Sequence, residues 1–151
     1  MRGDETDAGK FLMELSEARV RWMLIGRQAL IHHGVPVQTM DYDLWVDPLP
    51  VNVGKLLRIA HQHGLEGPTT EQEVETRPYF SLHGATLKVD VFRVKKFTNL
   101  DGETVEFDAA YRRRVIASVE GDPLAPPIAS IRDLRVLKRM RDEPSDREDL
   151  R

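Results

Sequence analysis

One stretch of this chain, residues 22–47, constrains its fold more than any other; it reads WMLIGRQALIHHGVPVQTMDYDLWVD. The apolar run WMLI has the length of a buried strand, and it ends at Gly26. Residues 27–33 predict a helix that Gly34 and Pro36 stop, and a second strand begins near Asp41. A strand, a glycine turn, a helix and another strand in succession indicate a sheet with helices packed against it.

The rest of the chain predicts further helices and strands without strict alternation. Apolar spacing predicts helices within residues 11–20, 53–60 and 131–140, the last opened by the capping box Ser130-x-x-Asp133. Residues 79–82 and 85–92 predict an antiparallel hairpin, and residues 115–119 predict an edge strand. The segment DPLAPP (122–127) is interpreted as a surface crossing, and residues 145–148 as the capping box of a final short helix. We therefore predict an α/β (α+β) fold with a mixed central β-sheet and flanking helices.

Composition limits the classes of protein to which the chain can belong. Its 151 residues fit one domain, and we expect a disordered tail at residues 1–8 before a single domain at 9–151. The formal net charge of −3 argues against a general nucleic-acid-coating protein but leaves room for a local basic patch. The chain has no cysteine, no signal-peptide pattern and no apolar run of membrane-spanning length, which suits the cytoplasm.

Four residues in or beside three predicted strands form a candidate site. Gly26 opens a helix whose free N–H groups would bind phosphate, although on this feature alone a plain strand-to-helix turn is favoured. Asp41 and Asp43 share one face of a strand, and carboxylate oxygens of this kind suit Mg²⁺; the alternative is a solvated strand face. Asp90 interrupts the apolar strand LKVDVF, and Lys88 on the same face indicates that this side is partly wet. The combination carries more weight than its parts.

These motifs resemble those of a known family. The segments IGRQAL, TMDYDLWV, KVDVF and DLRVLKRMRDEPSDREDL are similar, in that order, to motifs of the polymerase-β-like nucleotidyltransferase superfamily. Within it, the chain most resembles the small bacterial branch related to the AbiEii-type toxins. The resemblance covers residues 22–150, and it implies the fold and the activity of that superfamily.

The resemblance implies a role for each matching residue. Asp41, Asp43 and Asp90 would be catalytic and would hold two Mg²⁺ ions, with Asp90 taking the proton of an attacking hydroxyl. Gly26 and the following N–H groups would bind a triphosphate, and Lys138 would neutralise the phosphates. The implied reaction moves a nucleoside monophosphate from a nucleoside triphosphate to a hydroxyl acceptor and releases pyrophosphate.

Several alternatives stay open at this level. The family usually has Gly-Ser or Gly-Gly where this chain has Gly26-Arg27; Arg27 either reaches the phosphates, which we favour, or blocks them. A block would leave a catalytically silent nucleotide- or partner-binding module, such as a toxin–antitoxin or regulatory component. Asp146 and Asp149 are interpreted as structural supports, and the arginines at 112–114 as a solvated edge. The acceptor is an RNA, a protein or a small hydroxyl compound, and its site comes from a cleft, a homodimer or a protein partner.

Overall fold

The structure is a computed structural model, and it describes residues 7–26, 28–29, 41–68, 77–85, 87–116 and 125–139. The helices are α1 (Asp7–Glu17), α2 (Pro50–Gln62), α3 (Phe107–Arg112) and α4 (Ile131–Lys138). The strands are β1 (Trp22–Ile25), β2 (Asp41–Val46), β3 (Tyr79–His83), β4 (Lys88–Phe92), β5 (Lys96–Thr98), β6 (Thr104–Glu106), β7 (Val115–Ile116) and β8 (Pro127–Ile128). No helix in these ranges is both long enough and apolar enough to cross a bilayer.

Six of the strands form one mixed sheet in the order β3-β4-β2-β1-β8-β7. The pairs β2–β4 and β1–β8 are parallel, whereas β1–β2, β3–β4 and β7–β8 are antiparallel. The remaining strands, β5 and β6, form a separate antiparallel hairpin. The mixed α+β sheet predicted from the sequence is thus confirmed.

Buried aromatic and aliphatic side chains join the helices and the small hairpin to the sheet. Phe11 and Leu15 of α1 are fully buried, as their helical spacing predicts. Trp45 on β2 is fully buried as well, because Phe97 and Phe107 pack edge-on against it at centroid distances of 4.8 and 5.4 Å. Its indole Nε1 donates to the Val94 carbonyl at 2.7 Å, so the polar edge of the ring is also satisfied. The β5–β6 hairpin therefore covers the carboxyl-terminal end of β2 and leaves its amino-terminal end open.

Most predicted elements agree with the structure where it describes them. The first two helices and the antiparallel pairing of β3 with β4 are confirmed, although β4 begins at Lys88 and not at residue 85. The capping box at Ser130 is confirmed as well, because Asp133 N donates to Ser130 Oγ at 3.2 Å. Helix α1 begins at Asp7, inside the tail predicted to be disordered, and residues 1–6 lie outside the described ranges. Most of the predicted helix at 27–33, residues 117–119 and the capping box at 145–148 also lie outside them.

One prediction at the far side of the sheet needs correction, and three short elements were not predicted. The segment 122–127 was expected to cross the surface, but Pro127 and Ile128 form β8 and are buried between β1 and β7. A proline cannot donate a ladder hydrogen bond, so its presence argued against a strand. The hairpin β5–β6 and the helix α3 were not predicted, because elements of three to six residues show too little periodicity.

Candidate active site

Strand register brings the predicted acids together on one face of the sheet. Asp43 lies directly opposite Asp90 on the parallel strand β4, and Asp90 in turn lies opposite Ser81 on β3. Register partners on neighbouring strands are about 4.8 Å apart and point to the same face. Asp41, two residues before Asp43, faces that side too and lies opposite Lys88. The open end of β2 thus carries three carboxylates, although Asp43 and Asp90 are 47 positions apart in the chain.

The carboxylate of Asp90 is held by two neighbours. Ser81 Oγ donates to Asp90 Oδ1 at 2.6 Å, and Lys88 Nζ lies 3.8 Å from Oδ2. The Tyr79 hydroxyl lies 3.0 Å from Ser81 Oγ, and since the Ser81 proton is directed to Asp90, Tyr79 is the donor in that contact. The Asp90 side chain is 14% exposed and Lys88 is 42% exposed. The acid is therefore positioned by hydrogen bonds at the boundary between the core and solvent.

Gly26 lies against the carboxylate of Asp43. Its neighbour Ile25 is the register partner of Asp43 on β1, and Gly26 itself has a φ of +70°. A Cβ at this position would collide with Asp43 Oδ2 and would lie 3.1 Å from Cγ and 3.2 Å from Cβ of the same residue. Glycine is consequently required for two reasons, the left-handed backbone and the close approach of the acid.

These carboxylates offer the kind of ligand that Mg²⁺ prefers. Asp43 and Asp90 are adjacent across the strands, and hard oxygen donors of this type bind Mg²⁺ together with substrate phosphates. In the described part of the chain, however, no three His, Asp or Glu side chains are arranged as a ready-made ligand set. Asp90 instead makes its contacts with Ser81 and Lys88. The chemistry of the donors fits a magnesium site, and its completion would need the side chains of Asp41, Asp43 and Asp90 to turn toward a common point.

The remaining predicted site residues lie elsewhere or outside the described ranges. Lys138 is in the last turn of α4, about 10 Å along the helix from its first residue. Helix α4 begins two residues after Ala129. The Ala129 N–H donates to the carbonyl of Leu24, two residues before Gly26, at 3.0 Å. The helix thus carries Lys138 away from that edge of the sheet. Its role at the phosphates stays a prediction, as does that of Arg27, which is not described.

Sequence reasoning missed the two residues that hold Asp90. Lys88 was read only as a sign of a wet face, and Ser81 was not singled out. The sequence held no signal for Ser81, because a hairpin with strands 79–82 and 85–92 would place residue 81 opposite residue 86. The ladder instead ends at the pair His83–Lys88, which brings Ser81 opposite Asp90. Asp47, on the same alternation as the acids, is 5% exposed and paired with Arg21 at the covered end of β2. It has a structural role there.

This chain is similar to known proteins in structure. No protein-family model matches the sequence, and no curated protein sequence matches it. A candidate nucleotidyltransferase from Thermotoga maritima matches with a TM-score of 0.59 at 15% identity, over 87% of this chain and 83% of that one. The lincosamide antibiotic adenylyltransferase LnuA, in its lincomycin-bound form, matches with a TM-score of 0.67 at 14% identity, over 97% of this chain and 93% of that one. The chain therefore has the nucleotidyltransferase fold, with a mixed central sheet and flanking helices.

Proposed function

We propose that this protein is a Mg²⁺-dependent nucleotidyltransferase. The observation that carries the proposal is the register pair Asp43–Asp90, with Gly26 in contact with Asp43, in a fold shared with LnuA. The reaction begins with attack of an acceptor hydroxyl on the α-phosphorus of a nucleoside triphosphate. The bond from that phosphorus to the bridging oxygen breaks, and pyrophosphate leaves with the electron pair.

The three acids have distinct roles in this proposal. Asp41 and Asp43 would hold both metal ions and Asp90 would complete the second site; when bound, the ions would neutralise the phosphates and stabilise the attacking and leaving oxygens. Asp90 is also the residue that accepts the hydroxyl proton. Ser81 supports this role, because its hydrogen bond fixes Oδ1 and leaves Oδ2, 3.8 Å from Lys88 Nζ, to accept the proton.

The phosphate site would begin at Gly26. Gly26 has a positive φ at the end of β1 and residues 28–29 are helical, so N–H groups at this turn would be available to the triphosphate. Arg27 would add a forked cation, which suits phosphate oxygens. Lys138 would act on the triphosphate or the outgoing pyrophosphate, as the sequence resemblance implies.

The proposal also covers the family branch of this protein, its substrates and its location in the cell. The order of the four sequence motifs supports a place in the AbiEii-related branch, with a role in a toxin–antitoxin pair. The substrates are then a nucleoside triphosphate and a hydroxyl acceptor, which is an RNA, a protein or a small compound. We place the protein in the cytoplasm, where nucleoside triphosphates are available and where a chain without cysteine is at no disadvantage.

One observation favours a second candidate function, a catalytically silent binding module of the same fold. Asp90 is already in contact with Ser81 and Lys88, a cation that would compete with a metal for the same carboxylate. A module of this kind would bind a nucleotide or a partner protein without turnover. The two functions predict different responses to magnesium.

The test is calorimetric titration of each nucleoside triphosphate with and without Mg²⁺, on the wild type and on Asp43→Asn. Asp108→Asn is the matched control, because Asp108 is an acid with a 69% exposed side chain at the covered end of the sheet. We expect Mg²⁺-dependent binding that Asp43→Asn weakens by at least about tenfold, since even supporting residues of metal sites have effects of roughly 10- to 100-fold. Asp108→Asn should bind as the wild type does.

Two outcomes would count against the transferase. Equal nucleotide binding by Asp43→Asn and the wild type would remove the metal site from the proposal. Failure of the wild type to bind any nucleotide would favour the silent module, and a search for a protein partner would follow.

A further inference from the structure

A cleft lies between α4 and the β5–β6 hairpin, apart from the acids described above. Its volume is about 350 Å³, within the range of clefts that bind ligands. Four arginines line it together with two acids: Arg113, Arg132, Arg135, Arg139, Glu103 and Asp133. Such a concentration of arginine is unexpected in a chain whose formal net charge is −3.

Both acids of this cleft already accept hydrogen bonds from other residues of the chain, Asp133 from an arginine and Glu103 from an asparagine. Asp133 is 2% exposed, and it accepts from Arg113 Nε at 3.1 Å and from Arg113 Nη2 at 2.7 Å. Glu103 accepts from Asn99 Nδ2 at 3.0 Å. The hydrogen bonds with Asp133 raise the pKa of the Arg113 guanidinium above its ordinary value, so it stays charged at any working pH. Arg113 is therefore a fixed cation, one-third exposed, at the wall of the cleft.

The other three arginines form a line along one face of α4. Arg132, Arg135 and Arg139 follow each other at three and four residues, the spacing of a single helix face, and all are exposed. Arg139 is paired with Asp101, whereas Arg132 and Arg135 make no hydrogen bond or ion pair within the described ranges. The line is about 10 Å long at 1.5 Å per residue. A stacked nucleic-acid strand carries one phosphate per roughly 3.4 Å, so the line matches about three successive phosphates.

The line of arginines begins near the edge of the sheet that carries Gly26 and the acids. Helix α4 begins directly after β8, and Ala129 N donates to the Leu24 carbonyl at the edge of the sheet that holds Gly26. Arg132, in the first turn, is nearest that edge, and Arg139 is nearest the β5–β6 turn, where Leu100 N donates to its carbonyl at 3.1 Å. A long, linear polyanion bound along α4 could therefore extend to the acids, whereas a small acceptor would not contact both places.

We propose that this cleft binds the phosphate backbone of a single-stranded polynucleotide. Arginine is suited to this ligand because its planar fork matches phosphate oxygens. The hydroxyl at the end of the bound strand is then the acceptor. That assignment rests on the proposed function, whereas the binding itself is independent of it. The arginine cluster at 112–114, interpreted from sequence as a solvated edge, then contributes Arg113 to a binding surface.

The experiment measures fluorescence anisotropy of a labelled single-stranded RNA of twelve nucleotides, in the absence of nucleoside triphosphate, over a series of salt concentrations. The variant is Arg132→Gln/Arg135→Gln. The charge-matched control is Lys10→Gln/Arg58→Gln, which removes two exposed cations from α1 and α2. We expect the cleft variant to bind several-fold more weakly and the slope of log K against log salt to fall by about 1.4, at roughly 0.7 per lost phosphate contact. The control should keep the wild-type slope, and DNA of the same sequence should compete with RNA.

Three outcomes would overturn the proposal. The wild type could fail to bind RNA at low salt, or both double variants could lose the same affinity. Equal competition by inorganic triphosphate or polyglutamate, at matched charge, would assign the cleft to a small anion or an acidic protein. Asp43→Asn should bind RNA normally, so loss of transfer with retained RNA binding refers to the proposed function and not to this cleft.

Discussion

Replacement of Gly26 by alanine tests the contact on which the candidate site depends. At a φ of +70° an alanine pays about 1–2 kcal/mol relative to glycine. Its Cβ would also overlap Asp43 Oδ2 and crowd Cγ and Cβ at 3.1 and 3.2 Å, so turning the carboxylate alone does not relieve the contact. Overpacking of this kind adds about 1–3 kcal/mol. Gly26→Ala should therefore lower the free energy of unfolding by about 2–5 kcal/mol and displace Asp43 from Asp90.

Gly64→Ala is the matched control for this substitution. Gly64 closes α2 with a φ of +75°, and an added Cβ there would meet nothing within 4 Å. It should lose only the backbone term of about 1–2 kcal/mol and should keep Mg²⁺-dependent nucleotide binding. Urea denaturation measures the first quantity and calorimetry the second.

A double-mutant cycle separates the two contributions at Gly26. In an Asp43→Ala background the contacts with Oδ2 and Cγ are gone and only the 3.2 Å contact with Cβ remains, so the cost of Gly26→Ala should fall close to that of Gly64→Ala. The reasoning is refuted if Gly26→Ala and Gly64→Ala are equally stable in the wild-type background and Gly26→Ala binds magnesium and nucleotide normally.

Two further predictions concern the hydrogen-bonded carboxylates of Asp90 and Asp133. Ser81→Ala removes the donor to Asp90 and should lower kcat by roughly tenfold or more with little change in KM. Ser81→Thr keeps the hydroxyl and should retain most of the wild-type kcat. An equal loss of kcat in both variants would contradict a positioning role. Asp133→Ala should lower the free energy of unfolding by about 3 kcal/mol, the lower end for breaking a buried ion pair, since Arg113 remains 34% exposed. Urea denaturation measures this free energy, and a loss no larger than that of an ordinary surface substitution would contradict the prediction.

Local patterns were sufficient for the longer elements. The run WMLI, the spacing of Phe11 and Leu15 and the Ser130 capping box each depend on residues within a few positions of one another, so their outcome could be predicted without knowledge of the fold. The alternation of Asp41, Asp43 and Trp45 also predicted one shared face of β2. It did not predict that the β5–β6 hairpin would cover Trp45 and leave Asp41 exposed.

Short elements depend on contacts made elsewhere in the chain. Pro127 and Ile128 form a strand only because β1 and β7 lie on either side of them, and a two-residue strand has no periodicity of its own. The same holds for β5 and β6, whose three residues each are stabilised by pairing and by the packing of Phe97 on Trp45.

The sequence by itself therefore determined which residues could carry chemistry, because Asp41, Asp43 and Asp90 are acids within predicted strands and Gly26 ends the strand before them. Only the tertiary structure decided which of them meet. Parallel pairing of β2 with β4 places Asp43 beside Asp90, and the hairpin register adds Ser81. The tertiary structure likewise joins Arg113 to Asp133, twenty residues later, and places this arginine of the basic run 112–114 in the wall of the cleft. The physical reason is that register and packing are set by the whole sheet, whereas residue type and local spacing are properties of the sequence.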